Sequence, residues 1–165
     1  MLKRHWFQFE DTPPARQPGD QIIQSWDTAL KASNSNDYSV CLTFQVHNKN
    51  EYHLTNVFRE QLEFPDLLKQ VITLAQKFTA NAVLIEDQAS GTSLIQTVRR
   101  SGLQGVIAIK VEGDKATRMM AATPKLEAGS LFLPRYVPGV DGFLAECLAS
   151  RLESMMTKSM PCHNF

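Results

Sequence analysis

Ala82-Val83-Leu84-Ile85, followed at once by Glu86-Asp87, is the stretch on which the fold turns. Four consecutive apolar residues bounded by charge mark a strand covered on both faces, as inside a layered α/β sheet. Such a strand needs helices above and below it, and the flanking sequence supplies them. Upstream, Phe64-Pro65-Asp66 opens a helix, with proline tolerated in the first turn. Its Leu67, Leu68, Val71, Ile72, Leu74, Ala75 and Phe78 spread an apolar face wide enough to lie on a sheet. Downstream, a turn containing Gly91 leads into a helix over residues 92–100, and residues 105–111 read as another buried strand. A helix over 114–127 stops at Gly129, a C-terminal cap. Residues 130–133 read as a short edge strand and 140–148 as a last amphipathic helix.

Toward the N-terminus the pattern changes. Residues 11–20 hold three prolines and read as a polar lead-in; residues 21–27, Gln-Ile-Ile-Gln-Ser-Trp-Asp, read as a strand ending on a carboxylate. After a turn rich in Ser, Asn and Asp at 31–37 come two β-rich runs, 38–46 and 52–58, joined by a hairpin loop over 47–51. An antiparallel meander followed by alternating helices and strands gives an α/β fold: a mixed sheet with helices on both faces, in the order of the ribonuclease H-like architecture, parts of which other α/β folds share.

Composition narrows the function classes. The 165 residues suit one domain with a real core. The 17 basic and 17 acidic side chains cancel, which argues against a simple basic DNA-coating protein but leaves room for acids beside a basic groove. Cys41, Cys147 and Cys162 are odd in number and widely spaced, giving no support to a disulfide framework or zinc site and fitting a reducing cytoplasm. No apolar run approaches a membrane span, and the basic N-terminus lacks the apolar stretch of a signal peptide.

Two acidic positions carry the chemistry. Asp27 ends the first meander strand and Glu86-Asp87 ends the buried one; in a sheet of this order those strands are neighbours. Paired strand-end carboxylates suit hard divalent cations, and two such ions can activate water and stabilise the leaving oxygen of a phosphodiester. An acid at a strand end is more often a solvated turn residue or a helix cap, so spacing alone leaves both readings open.

The residues also resemble a family. Segments 22–29 with 36–41, then Arg59-Glu60-Gln61-Leu62-Glu63-Phe64-Pro65, Leu84-Ile85-Glu86-Asp87-Gln88-Ala89-Ser90-Gly91-Thr92-Ser93-Leu94-Ile95, Gly113-Asp114-Lys115-Ala116-Thr117-Arg118 and Leu126-Glu127-Ala128-Gly129 are similar, in order, to the nuclease domain of phage terminase large subunits. The resemblance implies a ribonuclease H-like endonuclease that uses Mg2+ or Mn2+ to cut double-stranded DNA during genome packaging in the cytoplasm of a bacterial host. It implies Asp27 as one metal ligand, Glu86 or Asp87 as another, and Asp37 as an accessory acid. Lys115 and Arg118, one helical turn apart, become candidate contacts to DNA phosphates, or equally a solvated helix face. By family, the partners are an ATPase motor, a small subunit and a portal. No GxxxxGK[ST] is present, and residues 2–9 resemble the junction with a motor, so the expectation is a detached nuclease half: a lead-in over 1–20, the nuclease domain over 21–149 and a divergent tail over 150–165.

The tail departs from the family, whose third acidic ligand lies in a segment of the type His-Asp-Asp-Gln-Val-Asp-Ala. Here residues 150–165 contain no aspartate. Methionine has one codon, ATG, and threonine codons begin AC. Read one nucleotide upstream, Met155-Met156-Thr157 therefore gives Asp-Asp, and Met160-Pro161 gives Ala. The expectation is a frameshift just before Glu153, either in a decayed prophage remnant or as a sequencing artefact of the reading frame, leaving a nuclease impaired by loss of its third acid. The competing expectations are a non-catalytic remnant that binds DNA or a packaging partner, and an unfolded product.

Overall fold

The computed structural model describes residues 3–28, 38–87, 90–110, 115–136 and 141–142, with the backbone alone at 90, 115–119 and 121. The expected helix at 140–148, the tail and Asp37 lie outside the described residues, apart from the helical pair 141–142.

Among the described residues, a short 3-10 turn, Arg4–Trp6, precedes seven strands and three full helices: β1 Gln8–Glu10, β2 Gln21–Asp27, β3 Ser39–His47, β4 Glu51–Glu60, α1 Phe64–Lys77, β5 Ala82–Glu86, α2 Ser90–Arg100, β6 Val106–Ile109, α3 Lys115–Glu127 and β7 Leu131–Pro134. The strands form one mixed sheet in the order β1-β7-β4-β3-β2-β5-β6. The meander β2-β3-β4 is antiparallel, while β5 joins β2, and β6 joins β5, in parallel. The β3–β4 turn is tight because Asn48 and Lys49 both take positive φ, at 50° and 65°, the sign that keeps a hairpin's twist in step with its strands. A bulge at Thr55, whose hydroxyl donates to the Thr43 carbonyl at 3.1 Å, shifts the register midway along that hairpin.

Helices cover both faces. Leu67, Val71, Leu74 and Ala75 of α1 and Leu94, Ile95 and Val98 of α2 pack on one face against Trp26, Cys41, Val83 and Ile85. Ala122 and Leu126 of α3 pack on the other against Ile23, Leu42, Leu84 and Leu131, joined there by Trp6 and Phe7. Residues Ala82 to Ile85 are buried without exception, as a strand apolar on both faces must be. Burial holds the Cys41 thiol far above its usual range, so it stays a protonated core group. One polar link pins α1 to the sheet: buried Gln24 donates through Nε2 to the Leu74 carbonyl at 3.1 Å and to Thr43 Oγ1 at 3.3 Å.

The two margins differ from the expected pattern. Strand β7 is not an edge: it lies between β4 and β1, parallel to both. Its outer neighbour is built from Gln8-Phe9-Glu10, a segment too short to show periodicity. Glu10 then reaches over β7, its Oε1 lying 2.7 Å from His53 Nδ1 on β4, where the His53 ring stacks on Phe132 at 4.5 Å. At the opposite margin β6 is the edge, and all four of its residues are half-buried rather than buried. The proline-rich lead-in is fastened from both ends. Gln45 donates to the Pro14 carbonyl at 3.1 Å, Arg16 donates to Thr79 Oγ1 at 2.8 Å, and Asp20 accepts from the Gln17 N–H, Gln45 Nε2 and His47.

Candidate metal centre

Strands β2 and β5 run parallel with Trp26 opposite Ile85, so the next residue along each, Asp27 and Glu86, closes both strands at the same end. Adjacent strands lie about 4.8 Å apart, which leaves the two carboxylates within reach of one cation. Both are half-buried, open enough to take ligands.

Strand alternation decides between Glu86 and Asp87. Ile23, Ala82 and Leu84 belong to the α3 face, whereas Trp26, Val83 and Ile85 belong to the face under α1 and α2. Successive side chains alternate, so Asp27 and Glu86 share the α3 face and Asp87 turns to the other. The partners of Asp87 agree. Its Oδ1 accepts from the Thr92 hydroxyl in the first turn of α2 at 2.7 Å, and its N–H donates to the Ile109 carbonyl at 2.9 Å. Asp87 is thus tied to α2 and β6, and it braces the end of β5 from behind.

The support beneath the pair is stiff. Trp26, 1% exposed, packs its ring at 5.8 Å from Phe58 on the face under α1 and α2 and anchors the end of β2. Gly91 lets the start of α2 close on β5: a Cβ there would overlap the Glu86 carbonyl oxygen and lie 3.2 Å from its carbon. Ser25, fully buried two residues before Asp27 on the same face, has no hydrogen-bond partner for its hydroxyl among the described residues.

A cation extends this row. Val40 on β3 pairs with Asp27, and Arg59 on β4 pairs with Val40; on the other side Ile109 of β6 pairs with Glu86. The guanidinium of Arg59 sits over the Tyr38 ring, 4.3 Å from its centroid. Sequence reasoning passed over Arg59, Tyr38, Thr92 and Trp26 as site components. All four stood inside the segments that carry the family resemblance, but only the folded chain shows what they adjoin.

Among the described residues, no group of three or more His, Cys, Asp or Glu side chains is arranged to hold a metal ion. Asp37 lies outside the described residues, and Lys115 and Arg118 are placed on α3 by their backbone alone. No helix of the described residues is long and apolar enough to cross a membrane.

Residues 24–149 match the family model of the terminase RNaseH-like domain. No curated protein matches the chain by sequence. Among solved structures, the large terminase nuclease from thermophilic phage G20c with bound zinc superposes with a TM-score of 0.64 at 11% identity, over 94% of this chain and 92% of that one. The fowlpox virus Holliday junction resolvase gives 0.56 at 13% identity, over 84% and 94%. The human cytomegalovirus terminase nuclease domain, soaked with manganese, gives 0.52 at 10% identity, over 86% and 79%. At such identities the likeness is one of fold, a ribonuclease H-like α/β sheet.

Proposed function

The chain belongs to the terminase RNaseH-like domain family, and from that premise we propose that it is a metal-dependent endonuclease domain acting on double-stranded DNA in phage genome packaging. The observation that carries the reading is the meeting of Asp27 and Glu86 on one face, at the same end of two adjacent parallel strands. Two part-exposed carboxylates fit Mg2+ or Mn2+, which bind through one or two acids and keep positions for water and phosphate oxygens. The structures with bound magnesium, cobalt, zinc or manganese among the similar nucleases support the same class of ion.

Asp27 and Glu86 hold the ion in this reading, while Asp87 orients the strand end through Thr92 and Ile109. When bound, the ion supplies an activated water and neutralises charge building on the scissile phosphate. The acids would otherwise repel DNA, so the ion is also what lets the backbone approach them. Residues 21–149 make up the nuclease domain, and residues 1–20 form a junction whose β1 completes the sheet. With no aspartate in residues 150–165, the set has two acids where the resembled family has three. Nuclease activity is accordingly weak or lost, with metal binding retained at the Asp27–Glu86 pair.

Calorimetric titration with Mn2+ tests this, run beside nicking of supercoiled plasmid. Asp27→Asn and Glu86→Gln are each expected to weaken Mn2+ binding at least tenfold, with Asp87→Asn closer to wild type. Nicking that vanishes with Asp27→Asn makes the domain an active nuclease. Mn2+ binding without nicking makes it a non-catalytic remnant. Wild-type affinity in the Asp27 variant would overturn the site.

A further inference from the structure

We propose that the Ser25 hydroxyl is the donor that fixes the Asp27 carboxylate for the metal ion, acting on the ion only through that acid. The inference deepens the nuclease reading and rests on its metal site. Three observations carry it. First, Ser25 is fully buried, and its Oγ has no hydrogen-bond partner among the described residues. Second, the hydroxyl shares the acid's face: Ile23 lies on the α3 face, and alternation along β2 returns Ser25 and then Asp27 to it. The cross-strand neighbours of Ser25 are Leu42 and Leu84, both buried on that face, and their side chains offer it no polar atom. Third, no described residue donates to the Asp27 carboxylate, whereas Asp20 accepts from three residues and Asp87 from Thr92.

The chemistry follows from that placement. An unpaired hydroxyl between leucines is less stable than the methyl of alanine, so packing alone gives no reason for a serine here. A donor one step beneath a ligating acid does. Residues two apart on a strand are separated by roughly 6.6 Å. Side chains lean along the strand, so a hydroxyl turned toward Asp27 and a carboxylate turned back toward Ser25 meet at a hydrogen-bond distance of about 2.7 Å. One Asp27 oxygen then accepts from Ser25 while the other faces the cation. Carboxylates that ligate metals are ordinarily held by such partners, and the leucines on either side keep the bond in a low dielectric, where it is stronger. Ser25 is thus a positioning residue that touches neither the ion nor the DNA.

The test measures Mn2+ binding to the full chain by loss of the free-ion electron paramagnetic resonance signal, beside a thermal melt of each variant in chelator. Ser25→Ala is expected to bind Mn2+ about tenfold more weakly. Without metal it should melt at or above the wild-type temperature, because an unpaired buried hydroxyl has been removed. Ser25→Thr, which keeps the hydroxyl on a β-branched side chain suited to a strand, should recover most of the affinity. In an Asp27→Ala background, Ser25→Ala should weaken binding no further, since its effect passes through that acid. Wild-type affinity in a folded Ser25→Ala, or losses that simply add to those of Asp27→Ala, overturns the proposal and leaves the metal site standing. Equal losses in Ser25→Thr and Ser25→Ala place the effect in packing and overturn it as well. A Ser25→Ala chain that fails to fold is replaced, under the same criteria, by Ser25→Cys, a weak donor on a small side chain. Absence of Mn2+ binding by the folded wild type overturns the metal site, and this proposal with it.

Discussion

Gly91→Ala sets two opposing effects against each other at a single carbon. Glycine inside a helix is poorer than alanine by about 1 kcal/mol, so on propensity alone the substitution in α2 should stabilise. The packing predicts the reverse. The new Cβ would overlap the Glu86 carbonyl oxygen, lie 3.2 Å from the carbonyl carbon and 3.8 Å from Ile85 Cγ2. Relief to an ordinary carbon–oxygen separation of about 3.3 Å requires α2 and β5 to part by on the order of 1 Å. Neither side yields easily. The end of β5 is tied by the Asp87 N–H to Ile109, and α2 is seated by fully buried Leu94 and Val98. Overpacking costs about 1–3 kcal/mol and sometimes more; because the clash is with backbone, the upper end applies. Net of propensity, Gly91→Ala should lose about 2 kcal/mol, lowering Tm by about 4–8 °C for a chain of this size. Differential scanning calorimetry measures that shift, and amide chemical shifts should change most between residues 85 and 92. Gly142→Ala, with no atom within 4 Å of its Cβ, is the control and should leave Tm unchanged. A Gly91→Ala protein melting at or above the wild type would refute the close approach of α2 to β5.

The remaining predictions concern the layers beneath the site. Leu84, 1% exposed on the α3 face of β5, should cost about 2–5 kcal/mol on Leu84→Ala by urea unfolding; a loss below about 1 kcal/mol would mean that the α3 layer is loosely packed. Asp20 has its carboxyl held below its ordinary value by the Gln17 N–H and, after that, by His47 and Gln45. The depressed folded value means that the unfolded chain takes up protons first as pH falls. Its contribution is therefore whole above the unfolded value near 4 and lost as pH drops through the lower folded one. Asp20→Asn should be less stable than wild type at pH 7 and converge with it toward pH 3; parallel stability curves would show that Asp20 has no such role.

The middle of the sheet was readable in the sequence because its residues obey the physics of their own neighbourhood. Ala82–Ile85 is apolar on both faces, α1 repeats its apolar positions at helical spacing, and Asp27 and Glu86-Asp87 stop their strands abruptly. The margins were not, because their structure comes from distant partners. Gln8-Phe9-Glu10 is a strand because β7 pairs with it, and β7 is interior only because β1 lies outside it. The site shows the same division. That two acids should meet follows from strand order, but choosing Glu86 over Asp87 needs the phase of β5 relative to β2. Arg59 belongs to the acidic row only through a register passed across β3, which no local pattern in residues 51–60 encodes.

The pairing of β1 with β7 has a consequence for the order in which the chain folds. Three residue pairs, Gln8 with Phe132 through Glu10 with Pro134, close a loop of ~120 residues, whose closure entropy amounts to about 4 kcal/mol. Three ladder positions and the Glu10–His53 contact cannot nucleate against that cost, so β1 docks only after the rest of the sheet has shortened the loop. During synthesis β1 emerges ahead of the other strands of this sheet and is then the last of them to be seated. In the finished protein its amides should exchange with solvent well before those of β5, through local openings that leave the Asp27–Glu86 end of the sheet intact.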